Sequence, residues 1–176
     1  MPDSGLSPDL VAQAKAVITA NRRLGRTVAV AESCTGGLVS AALTEIAGSS
    51  EVFEAGFITY GNAAKQSMLG VNAEVLETFG AVSIATAWAM AQGALKRSGC
   101  DVAVAITGVA GPGGGTEKKP VGTVVFARAC KGEDPENVVA DIRYFEHNSG
   151  RSDIRRQAAL CALELLMPDA SPLGTP

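Results

Sequence analysis

The stretch from Thr27 to Gly48, TVAVAESCTGGLVSAALTEIAG, changes period once and constrains the fold most. Thr27 to Ala31 is short, apolar on both faces and partly β-branched, the pattern of a central strand covered by helices on either side. From Leu38 the apolar positions Leu38, Ala42 and Ile46 recur at helical spacing, and Gly48 reads as the stop. Between them lie Glu32, Ser33, Cys34, Thr35, Gly36 and Gly37. This small polar turn sits at the carboxyl end of a strand and the amino end of a helix, where open α/β sheets hold their ligands.

The rest of the chain repeats the pattern. Ser7, Pro8 and Asp9 start a helix whose stripe of Leu10, Ala14, Val17 and Ile18 runs towards Gly25. Val52 to Tyr60 reads as a second strand, with Gly56 marking a bulge or a close backbone approach. Asn62 reads as the cap of a short helix ending at Gly70, and a second short helix spans Asn72 to Phe79. Ser83 caps a longer helix with Ile84, Trp88, Ala91 and Leu95 on one face and Gly99 at its end. Asp101 to Thr107 repeats the form of the first strand.

Gly108 to Pro120 is too rich in glycine and proline for a regular element and reads as a loop. Strands follow at Val121 to Cys130 and, at an edge, Val138 to Phe145, whose residues alternate. Ser149 to Met167 is the last helix. No helix separates the two strands joined by the glycine-rich loop, so that pair is antiparallel. The expectation is a three-layer α/β/α sandwich around a mixed, mostly parallel sheet of about five strands. A chain of 176 residues, 47% hydrophobic, suits one domain over residues 1–167, followed by a disordered tail over 168–176.

A net charge of -3 argues against nucleic-acid binding, and no apolar run is long enough to cross a membrane. The opening residues lack a signal-peptide pattern, so a cytoplasmic protein is expected. The four cysteines are far apart in sequence and read as free thiols. His147 is the one histidine, which excludes multi-histidine metal sites. A serine or cysteine nucleophile must therefore use His147 or a base that is not histidine.

Ser33 and Cys34 are the nucleophile candidates, because backbone N–H groups and a helix amino end lie beside them. The same stretch also suits a plain cap, with Ser33 or Thr35 capping and Cys34 a small buried residue. Neither the GxSxG elbow nor SxxK fits, since Ala31, Thr35 and Gly36 stand at the deciding positions. Lys65 falls in a first helical turn, where a cation opposes the dipole. Dipole and burial together would depress its amine pKa, as a general base requires, and Tyr60 ends the preceding strand in the same crevice.

Arg151 is a second cation at a helix amino end and could hold an anion, or pair with Asp153 or Glu146. Arg143 reads as wet surface, and Lys118 and Lys119 as a solvated pair. The loop TGVAGPGGGT, Thr107 to Thr116, is not a P-loop, but its N–H groups can approach a ligand. A Ser33, His147, Asp141 triad is the weaker alternative, since His147 lies in a polar turn.

Assembled, the motifs resemble the CinA C-terminal domain family, the nicotinamide-nucleotide amidohydrolases. The resemblance rests on AESCTGG at Ala31 to Gly37, the Tyr60, Asn62 and Lys65 spacing in ITYGNAAK, and LGV at Leu69 to Val71. It continues through GAVS at Gly80 to Ser83, TGVAGPGGG at Thr107 to Gly115, KPVGTV at Lys119 to Val124, and Arg151. Gly61 and the pair Ile84 and Ala85 depart from the pattern. The resemblance implies hydrolysis of the carboxamide of nicotinamide mononucleotide, without metal or other cofactor, by a stand-alone form lacking the larger amino-terminal domain.

It further implies Ser33 as nucleophile, Lys65 and Tyr60 as proton-transfer partners, and Cys34, Thr35, Gly36, Asn62, Thr107, Gly108, Gly111, Gly113 and Arg151 around the substrate. The partner expected is a small molecule, a pyridine mononucleotide, and a homodimer is compatible with the resemblance. The competing expectation is a non-catalytic nucleotide-binding or competence-related protein using the same crevice without turnover.

Overall fold

A computed structural model describes residues 4–146 and 150–168 of the chain. The elements are α1 (Pro8–Arg23), β1 (Val28–Glu32), α2 (Leu38–Thr44), β2 (Phe53–Ile58), α3 (Asn62–Leu69), α4 (Ala73–Phe79) and α5 (Ile84–Ser98). They continue with β3 (Val102–Gly108), β4 (Thr123–Cys130), β5 (Ala140–Tyr144) and α6 (Gly150–Leu165). The sheet order is β2-β1-β3-β4-β5. β1 is parallel to both β2 and β3, while β4 is antiparallel to β3 and β5.

Helices cover both faces, and strand alternation divides the core accordingly. Val28, Val30, Val104, Ile106, Val124 and Phe126 face α1, α2 and α6. Ala29, Ala31, Ala103, Ala105, Ala127 and Ala129 face α5. Every residue of β1 is buried, as a doubly covered strand requires. Burying each of its valines contributes about 1.5–3 kcal/mol.

The alanine face lets α5 lie close, and this rotates its buried stripe from the expected one. Thr86, Ala87, Met90, Ala91 and Ala94 are buried, whereas Ile84, Trp88 and Leu95 pack along the flanks. Gly93 gives α3 a similarly close seat: a Cβ there would stand 2.1 Å from the carbonyl oxygen of Leu69. Sequence periodicity weights large apolar residues, so it missed a contact made by small ones.

Three boundaries differ instructively. α2 stops at Thr44, ahead of Gly48, as the chain tightens into an Ile46 to Leu43 bond and Thr44 Oγ1 donates to the carbonyls of Ser40 and Ala41. The cap of α3 is Gly61, with Asn62 its first residue; Ser83 caps α5 as expected, and Asn72, read as the start of α4, is its cap. The β2 register shift falls at Glu54, whereas Gly56 is the close approach, since a Cβ there would meet Ser40 Oγ at 2.3 Å. The Ser149 cap and His147 lie outside the described residues, as does the tail beyond Pro168.

Candidate active site

β2 lies on one side of β1 and β3 on the other, with α2 on one face and α3 to α5 on the opposite face. A crevice therefore opens at the carboxyl ends of β1 and β3. The two strands run in register, Glu32 beside Ile106, and the Ser33 amide continues the ladder to the Ile106 carbonyl at 2.9 Å. Ser33 thus follows β1 next to Thr107, which is still within β3 and pairs with Val125 of β4.

Glu32 fixes the turn that follows. Its fully buried carboxylate accepts from the amides of Gly37 at 3.0 Å, Val39 at 3.2 Å and Ser40 at 2.9 Å, and from the Ser40 hydroxyl at 2.8 Å. A helix leaves its first amides without partners, and a carboxylate satisfies them while complementing the dipole. Gly36 and Gly37, at φ +59° and +96°, supply the left-handed backbone that closes the turn. From the other side Arg155 donates to the carbonyls of Cys34 at 3.1 Å and Thr35 at 2.9 Å.

Motif reasoning gave neither Glu32 nor Arg155 a role. The available signal for Arg155 was its spacing of four from Arg151, which puts both on one face of α6. Among the described residues, the amides of Cys34 and Thr35 donate to no oxygen.

Lys65 has no exposed surface. Its Nζ lies 3.1 Å from Ser33 Oγ, 2.7 Å from the Thr59 carbonyl and 3.2 Å from the Tyr60 carbonyl. No carboxylate comes within ion-pair distance of it among the described residues. Burial holds the amine below the ordinary lysine value of 10.5, with Cys34 opposing the shift. A neutral amine has two hydrogens and one lone pair. In that form the two carbonyls would accept its hydrogens and the lone pair would be left for the Ser33 hydroxyl; a charged amine donates to all three oxygens.

Cys34 is buried beside Ser33, and burial pushes its thiol up to about 11. It is therefore protonated near neutrality and a poor nucleophile. Tyr60 is 63% exposed, and its hydroxyl accepts from Arg151 Nη2 at 3.2 Å. Its contact with Lys65 is made by the backbone carbonyl. Arg151 also donates to the Gly111 carbonyl at 2.7 Å, tying the glycine-rich loop to α6. Asp153 accepts from Arg156 and Gln157.

Ser33, Cys34, Tyr60, Lys65, Thr107, Gly108 and Arg151 line one cavity of about 170 Å³, together with Ala81, Val82 and Ala110. Ala110 and Arg151 also border a larger cavity of about 560 Å³ walled by the loop from Pro112 to Glu117, including Gly113. Thr116 and Glu117 supply a hydroxyl and a carboxyl group to the larger space, whereas Ser33 and Lys65 meet in the smaller one. Of the remaining expected contacts, Thr35 is buried, Gly36 and Asn62 are exposed, and none of the three lines either cavity. Gly111 contributes its carbonyl to Arg151.

Asp141, the third member of the alternative triad, lies on β5, three strands from β1, and pairs with Arg143 at 3.5 Å. Arg143 also stands over the Phe126 ring at 6.0 Å, so it is only partly wet. Lys119, expected to be solvated, donates to the Phe79 carbonyl at 2.9 Å. Among the described residues, no group of three or more His, Cys, Asp or Glu side chains could hold a metal ion.

Residues 11–169 match the CinA C-terminal domain. The chain belongs to that family. A CinA-like protein of Mycolicibacterium vanbaalenii is 51% identical over 142 residues, covering 81% of this chain and 32% of that protein. This chain spans about a third of the length of the curated relatives it matches.

Among solved structures, the competence/damage inducible protein CihA from Agrobacterium tumefaciens superposes with a TM-score of 0.86 at 50% identity. The match covers 93% of this chain and 97% of that one. A CinA superfamily protein from Klebsiella pneumoniae follows at 0.82 and 34%, covering 89% and 94%. The CinA C-terminal fold thus accounts for the sandwich and the crevice. No helix among the described residues is long and apolar enough to cross a membrane.

Proposed function

We propose that this CinA domain is an amidohydrolase acting on the carboxamide of a pyridine mononucleotide, nicotinamide mononucleotide, with Ser33 as nucleophile and Lys65 as its base. The observation that carries the reading is the buried Lys65 amine, without a carboxylate partner among the described residues and 3.1 Å from Ser33 Oγ. Burying an amine is unfavourable, and a purely structural role would be served better by an apolar side chain.

In this reading Lys65 takes the Ser33 proton as Oγ attacks the carboxamide carbon. The oxyanion is met by the amides of Cys34 and Thr35, which donate to no oxygen among the described residues. Protonated Lys65 then returns the proton to the departing nitrogen, and ammonia leaves. Water, activated by the same amine, cleaves the acyl ester to the carboxylic acid and restores Ser33. Tyr60 accepts from Arg151 and therefore keeps its own proton to donate at the mouth of the crevice.

The aromatic amide suits the 170 Å³ cavity, and the ribose phosphate suits the adjoining 560 Å³ cavity, bordered by Arg151 and loop amides. Incubation of the purified chain with nicotinamide mononucleotide tests the reading. Ammonia and nicotinate mononucleotide should appear in equal amounts. A nucleotide that binds and is recovered unchanged would make the domain a binder rather than an enzyme.

A further inference from the structure

Thr107, the last residue of β3 but one, follows Ile106, the register partner of Glu32, and lines the same small cavity as Ser33. Its hydroxyl donates to the Ala81 carbonyl at 2.8 Å. A carbonyl has no proton to give, so the single Thr107 proton is committed and Oγ1 meets anything else as an acceptor only. The connection between α4 and α5 keeps it so. The Gly80 carbonyl is already taken by the hydroxyls of Ser83 and Thr86, which holds the Ala81 peptide in place. Turning the Thr107 hydroxyl towards the cavity would strip Ala81 of its donor.

Hydrolysis of a carboxamide changes its hydrogen-bonding character. The reactant carries an NH2 group with two donors, whereas the carboxylate product presents only lone pairs. We propose that Thr107 makes the site select carboxamide over the corresponding carboxylate, by receiving the amide nitrogen on an acceptor that has no proton left to offer. The inference rests on the amidase reading above and adds to it a specificity-determining residue and a reason for product release. Arg151, at the mouth of the same cavity, favours an anion, so rejection of the acid needs an opposing group on the inner wall. Thr107 is that group, next to Ser33 and almost wholly buried.

The test is equilibrium binding by calorimetry on the full chain carrying Ser33→Ala, titrated separately with nicotinamide mononucleotide and nicotinate mononucleotide. Mismatching a buried acceptor with an acceptor-only ligand should weaken the acid by roughly tenfold relative to the amide. Adding Thr107→Ser should keep the preference, because the hydroxyl and its Ala81 partner remain. Adding Thr107→Val, nearly equal in shape, should bring the two affinities within about twofold of each other.

Equal affinities with Thr107 intact would overturn the proposal while leaving the amidase reading standing. So would a preference that survives Thr107→Val, or a substitution that weakens both ligands by one factor. Binding of neither nucleotide would overturn the amidase reading and the selectivity with it.

Discussion

An amine buried without an anion is held closer to its neutral form, and among the described residues Lys65 is placed this way against the Ser33 hydroxyl. If the neutral amine is the base, the rate of amide hydrolysis rises with pH through the depressed pKa of Lys65. It should reach its plateau below the ordinary lysine value of 10.5. A pH–rate profile of the wild type locates that limb, and Lys65→Met should abolish turnover at every pH. Stability follows with a definite sign. The folded chain binds this proton more weakly than the unfolded chain, so the contribution of Lys65 is fully present above 10.5 and declines as pH falls towards the folded value. Thermal unfolding of wild type and Lys65→Met across that window should diverge in slope. Glu32 gives a second prediction at this scale. Glu32→Gln turns an amide NH2 towards backbone donors that need an acceptor, at a cost of about 1–3 kcal/mol, read as a lowered unfolding midpoint.

Among the elements, α3 carries Lys65, and its seat is set by α5. Glycine inside a helix ordinarily costs about 0.5–1 kcal/mol relative to alanine, so Gly93→Ala would be stabilising on sequence grounds. The 2.1 Å approach of the Leu69 carbonyl reverses the sign. The substitution should destabilise by about 1–3 kcal/mol in chemical denaturation and shift α3, lowering turnover as well. Other element-level facts were legible: the Ser83 cap, the glycine-rich loop and the antiparallel β3 and β4 pair all follow from local chemistry. Contacts between distant segments were not. Arg155 reaching the Cys34 and Thr35 carbonyls, and Lys119 reaching Phe79, leave no trace in local periodicity. Asn62 followed a sound capping rule, yet Gly61 took the cap and left Asn62 exposed.

For the whole molecule, the architecture followed from two doubly apolar strands, VAVAE and VAVAITG, the first leading into Ser33, Cys34 and Thr35 and the second ending in Thr107 and Gly108. Such strands must lie centrally and parallel, and the divergence of chain connections between them opens the crevice. From the residues the pairing of Ser33 with Lys65 was legible as a shared crevice, and the family resemblance made the two proton-transfer partners. The distance between them depends on the packing of α3, which the sequence pattern does not contain. The account as a whole stands on Ser33, and not its neighbour Cys34, attacking the amide. Ammonia release from nicotinamide mononucleotide by Ser33→Ala and Cys34→Ala proteins, measured side by side, tests it most directly. The account predicts no release from Ser33→Ala and substantial release from Cys34→Ala, with both proteins folded by circular dichroism. An active Ser33→Ala beside an inactive Cys34→Ala would contradict it.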